Sequence, residues 1–172
     1  MKHAIAPRRL VPRRLALALL PALVGTLALP AGAAKPKTRV EIRVIEATPG
    51  VTASPDVDEA LAPLAKDLKS LPFKEFKLRD AHQKNMAPNE RVSFEFPGPG
   101  GEKRFLVVSS HGEVRNGKQR IQLAIKELDF DTLVAVPDGG TILVGGPRHG
   151  KRTIFFAVTA KRSVMARGRF KR

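Results

Sequence analysis

Three histidines lie downstream of residue 34, namely His82, His111 and His149, and each sits beside turn-forming residues. No two share the spacing that puts ligands on one helical face, so a metal site would need separate loops to assemble it. The expectation is solvent-facing loop histidines, with no metal and no cofactor. Ser109-Ser110-His111 has the residue types of nucleophilic catalysis, but neighbours on a strand point to opposite faces and no G-x-S-x-G elbow is present. Asp129 and Asp131 flank Phe130 on a predicted turn into a strand, and Asp56, Asp58 and Glu59 cluster where carboxylates favour a helix start. A hydrolase is left only as an alternative, with a loop-assembled site around His82, His111 and Asp129; the residues carry no catalytic motif.

Aromatic usage narrows the binding classes. The chain has nine phenylalanines, no tyrosine, no tryptophan and no cysteine. Phe lacks the polar handle that sugar-stacking and partner-gripping surfaces favour. Phe94, Phe96 and Phe105, flanked by Arg91, Lys103 and Arg104, could stack bases on a sheet, but core packing at strand period explains them better. Without cysteine there is no disulfide framework, so stability must come from packing.

The first 34 residues read as an export signal. Lys2, Arg8, Arg9, Arg13 and Arg14 form a basic start, an apolar run follows from Leu15 to Leu29, and Ala31-Gly32-Ala33 supplies a small-residue cleavage site. About 20 apolar residues are needed to cross a bilayer, and this run contains Pro21 and ends at Pro30, so no transmembrane span is expected in the mature chain. Arg13-Arg14 is a loose match to a twin-arginine signal, and ordinary unfolded export is preferred. The expected location is periplasmic or extracellular.

The net charge of +15 is concentrated at the ends. Five positive charges fall in the signal and six more, Lys161, Arg162, Arg167, Arg169, Lys171 and Arg172, fall in the last twelve residues, leaving about +4 for residues 35–160. Those six make a candidate anion-binding tail for lipopolysaccharide, anionic lipid or nucleic acid, expected to be disordered over 161–172.

The elements predicted between the ends are mostly strands. Val40, Ile42 and Val44 alternate, Thr48 to Pro55 is a loop, and Asp58 caps a helix burying Leu61, Leu64, Ala65, Leu68 and Leu71. Pro63 should distort its first turn, leaving it regular from Pro63 to Ser70. Strands are then predicted from Phe76, over Val92 to Phe96, from Phe105, over Ile121 to Ile125, Leu133 to Val136, Thr141 to Val144 and Thr153 to Val158, with a type I′ hairpin at Asn116-Gly117. The pattern implies one α+β domain over 35–160, a mostly antiparallel sandwich or partly closed barrel of seven to eight short strands with one N-terminal helix.

Val136-Pro137-Asp138-Gly139-Gly140-Thr141-Ile142-Leu143-Val144-Gly145-Gly146, with the apolar strand up to Ala160, resembles the terminal hairpin of secretins. The channel-forming region and lip motif of secretins have no counterpart in these 172 residues, so the resemblance does not imply a pore. The whole arrangement also resembles small exported proteins of myxobacterial type, a group that supplies no catalytic residues. The function expected is a non-enzymatic envelope protein that binds or assembles with another envelope protein, with Ile154, Phe156 and Val158 as the candidate partner strand. Anionic-surface binding through the basic tail is the other alternative.

Overall fold

The computed structural model describes residues 36–163 apart from 52, 99, 100 and 115. The expected signal, residues 1–34, and the tail residues Arg167, Arg169, Lys171 and Arg172 lie outside the described residues.

Among the described residues nine strands form two sheets, most of them built on alternating apolar positions. They are β1 (Lys37–Thr48), β2 (Asp56–Val57), β3 (Glu75–Met86), β4 (Arg91–Pro97), β5 (Lys103–Glu113), β6 (Gln119–Ile125), β7 (Phe130–Val136), β8 (Thr141–His149) and β9 (Arg152–Ser163). One sheet has the order β2-β3-β1-β9-β8 and the other β4-β5-β6-β7. All pairings are antiparallel except the short parallel contact of β2 with β3. The chain crosses between sheets twice, from β3 to β4 and from β7 to β8.

A shared core joins the sheets. Val40, Ile42, Val44, Ile154, Phe156 and Val158 on one side meet Phe96, Leu106, Val108, Ile121, Leu123 and Ile125 on the other. Phe156 sits at the centre, edge-on to Phe96 and beside Phe130, each with ring centroids 5.8 Å away. A second cluster covers one end of the opposite face of the five-stranded sheet, where Ile45, Ala47, Phe76, Phe155 and Ala157 pack under Leu61, Leu64 and Leu68. Those leucines come from a 3₁₀ turn, Glu59–Leu64, running into the short helix α1 (Ala65–Lys69). Asp58 accepts a hydrogen bond from the Ala60 amide and caps the turn, while Pro63, without an N–H, keeps it from winding as a regular helix. The regular part thus begins two residues after Pro63 and ends before Ser70.

Bulges explain where simple alternation fails. Val44 lies opposite Asp80 and Ile45 opposite Leu78, so Arg79 is an extra residue in β3. The parity of β3 flips there. Phe76 therefore packs on the helix side while Met86 packs between the sheets. At the β5–β6 turn Asn116 and Gly117 have φ of 80° and 73°, the two positive angles that a type I′ hairpin needs.

Several sequence expectations are corrected. The three histidines lie in strands, not loops: His82 in β3, His111 in β5 and His149 at the end of β8. Strand β9 continues through Ser163, so Lys161 and Arg162 belong to the sheet instead of the tail. β1 holds them on one side, with Arg39 opposite Lys161 and Thr38 opposite Arg162. The β7–β8 turn holds the other side: the Gly139 amide donates to the Ala160 carbonyl at 2.8 Å, and the Arg162 amide donates to Asp138 Oδ1 at 2.7 Å.

Candidate functional site

A strand offered to a partner must lie at an edge, where its amides and carbonyls have no neighbour. Ile154, Phe156 and Val158 do not meet that condition. β9 is paired by β1 along its length and by β8 from Arg152 to Thr159, and all three side chains are fully buried. Ile154-Phe155-Phe156-Ala157-Val158 is apolar without alternation, as expected of a strand covered on both faces, while its interior position follows only from its pairing with β1 and β8.

Among the described residues the edges are instead β3 beyond its short pairing with β2, β8, β4 and β7. Three of them carry features that block strand addition. On β3, Lys77, Arg79, Asp80 and Lys84 put charge along the edge, and Arg79 bulges out of register. Its guanidinium donates to both carboxylate oxygens of buried Glu46 at 3.0 Å, with Arg152 a further 3.7 Å contact on the same carboxylate. β4 carries Arg91 and Glu95 and ends at Pro97, which has no amide to donate. Glu95 holds Lys103 at 2.9 Å, and this hydrogen bond, together with the carboxylate's charge, raises the Lys103 pKa above the ordinary lysine value. β8 is interrupted after Gly145 by a bulge containing Gly146 and Pro147. Gly146 leaves room there that a side chain would fill, because a Cβ would stand 2.7 Å from Phe156 Cε2 and 3.0 Å from the Ile154 carbonyl.

β7 has none of these guards. Its seven residues, Phe-Asp-Thr-Leu-Val-Ala-Val, pair with β6 without a bulge and include one charge, Asp131. Leu133 is 48% exposed, one of three large apolar side chains left so open among the described residues.

The outer face of the four-stranded sheet beside β7 carries the polar groups singled out by their chemistry. His111 Nε2 lies 3.1 Å from Gln122 Oε1, and Gln122 Nε2 donates to both oxygens of Asp131 at 2.8 and 3.0 Å. Arg91 Nε donates to Ser109 Oγ at 3.2 Å on the same face. Ser110 is buried on the opposite side, as adjacent strand residues must be. His82 belongs elsewhere, stacked 4.8 Å from Phe94 with Nε2 3.2 Å from Asp80 Oδ2, and Asp129 occupies a left-handed turn position with φ of 49°. The fold therefore does not bring His82, His111 and Asp129 together. Nor does it gather Phe94, Phe96 and Phe105, since Phe96 is buried in the core while Phe105 projects from the outer face, 46% exposed. Among the described residues no group of three or more His, Asp or Glu side chains is arranged to hold a metal ion.

No family model matches the chain, and no curated protein or solved structure matches it either.

The basic candidates separate. Arg162 is ion-paired with Glu113 at 2.7 Å, tying β9 to β5. Lys161 is exposed on β9, beside Arg39, Glu41 and Thr159 in a shallow cleft of about 230 Å³. A second basic locus was missed in the sequence: Arg148, His149, Lys151 and Arg152 are all exposed around the β8–β9 turn. Four basic or titratable residues in five positions were its signal. Among the described residues no helix is long and apolar enough to cross a membrane, which leaves strand-based insertion unaddressed.

Proposed function

We propose that this is an exported, non-enzymatic envelope protein, a two-layer β-sandwich that assembles with another envelope protein by adding a partner strand to β7. The observation that carries the reading is the contrast between edges. β3, β4 and β8 are charged, bulged or closed by proline, whereas β7 is regular, nearly uncharged and carries exposed Leu133 at its midpoint. Export rests on the basic, apolar and small-residue segments of residues 1–34.

The test compares capture of envelope proteins by the mature chain and by two charge variants, with a high-salt wash. Leu133→Lys places a charge on the open edge at a position that tolerates it, and Ser93→Lys does the same on β4. Loss of a salt-resistant complex in the first and its retention in the second support the reading. Retention in both refutes it.

The basic β8–β9 turn favours a second reading, anionic-surface binding, in which it acts with the tail. Serine at Arg148 and Lys151 should then weaken low-salt binding to lipopolysaccharide micelles; unchanged binding removes the turn from that role.

A further inference from the structure

The β7 edge is complementary to itself, and we infer that its partner strand is β7 of a second copy of this chain, paired antiparallel about a two-fold axis that passes between the two copies of Leu133. The inference rests on the strand-addition reading and names the partner. An axis normal to the sheet keeps each face on its own side, so residues of the same parity must meet, and a seven-residue strand is used in full only when its middle residue is the centre. In Phe130–Val136 that residue is Leu133.

The register then fixes every contact. Leu133 meets its symmetry mate, Asp131 meets Ala135, Thr132 meets Val134 and Phe130 meets Val136. No like charges lie opposite each other, and the exposed Leu133 side chain is covered by its equal. Asp131 is also drawn away from the edge, because Gln122 on β6 holds both of its oxygens. Moving the axis one residue either way leaves only 130–134 or 132–136 in the ladder. Moving it two residues toward Phe130 sets Asp131 against itself, and two toward Val136 sets Leu133 against Pro137, which lacks an amide. The product is a continuous eight-stranded sheet in the order β4-β5-β6-β7-β7-β6-β5-β4, with the unguarded edge of each copy removed.

The chain has no cysteine, so single cysteines report the register without background. Opposed residues on one face place Cβ atoms about 4.5–5.5 Å apart, near the separation a disulfide spans. Under mild oxidation of the mature protein, Leu133→Cys should give a covalent dimer. Ala135→Cys alone should give little, while a mixture of Ala135→Cys and Asp131→Cys should give the mixed dimer. Sedimentation equilibrium of the otherwise native mature chain should show a concentration-dependent monomer–dimer mixture, and Leu133→Lys should be monomeric.

A native chain that is monomeric at every concentration, or Leu133→Cys that does not cross-link where the native chain dimerises, overturns self-pairing. If such a monomer still captures an envelope protein and Leu133→Lys abolishes the capture, the strand-addition reading survives and the second copy is the part that fails. Cross-linking of Ala135→Cys as efficient as that of Leu133→Cys would overturn the register.

Discussion

The two sheets are joined at one end by a buried hydrogen bond, and its removal can be predicted from both sides. Thr38 Oγ1 on β1 donates to Gln119 Oε1 on β6 at 3.0 Å, with the two residues 5% and 3% exposed. Thr38→Val deletes the donor while keeping the shape, leaving a buried amide carbonyl without that partner, a loss on the order of 1–3 kcal/mol. A cleft of about 40 Å³ lined by Pro36, Gly112 and Arg162 adjoins the pair, so water can reach the orphaned oxygen and the lower half of the range, about 1–1.5 kcal/mol, is expected. Gln119→Leu strands the hydroxyl at similar cost. The double variant replaces both partners with apolar groups, so its cost should be only about 0.5 kcal/mol, giving a coupling of roughly 2 kcal/mol. Urea unfolding reads this directly: at a slope of about 2 kcal/mol/M each single variant lowers the midpoint by roughly 0.5–0.7 M and the double by less. A double variant as destabilised as the sum of the singles, with unchanged slope, would show that the bond does not couple the sheets.

Other expectations follow from single contacts. Phe156→Ala empties the centre of the core between Phe96 and Phe130 and should cost about 3–5 kcal/mol in the same unfolding measurement. Gly146→Ala forces a methyl against the Phe156 ring and the Ile154 carbonyl and should cost about 1–3 kcal/mol, whereas alanine at exposed Gly145, 3.8 Å from its nearest neighbour, should cost less. Arg79→Ala removes the nearer guanidinium from buried Glu46; with Arg152 still 3.7 Å away and Arg79 itself 39% exposed, the loss should be about 1 kcal/mol, and a neutral result would mean that Arg152 suffices.

What could be read from the chain was set by how many faces each strand buries. β6, with one face inward, alternates cleanly from Gln119 to Ile125 and is legible at once. β3, at 12 residues, is as long as any strand, yet only its start near Phe76 is legible, because Lys77 to Asn85 lie on an open edge and the Arg79 bulge breaks the alternation midway. β2 could not be read at all: two residues have no period, and the pairing comes from Glu75 and Phe76, far along the chain. β9 carries the opposite lesson. Its unbroken apolar run marked a strand covered on both faces, but its interior place in the sheet comes from pairing with β1 and β8, which the run itself does not show.

The same logic applies to the candidate site. An edge is a property of sheet order, and sheet order depends on which distant strands pair, so no local pattern in Phe130–Val136 announces that it lies outermost. What the sequence does contain is the absence of protection: one charge, no proline and no glycine in seven residues. Set beside the charges of β3, the terminal proline of β4 and the glycine-proline break of β8, that absence acquires meaning only once the topology shows that all four strands face the same hazard. A chain that guards three edges and leaves the fourth regular, with a leucine at its midpoint, has the asymmetry required for pairing at one edge and not at the others.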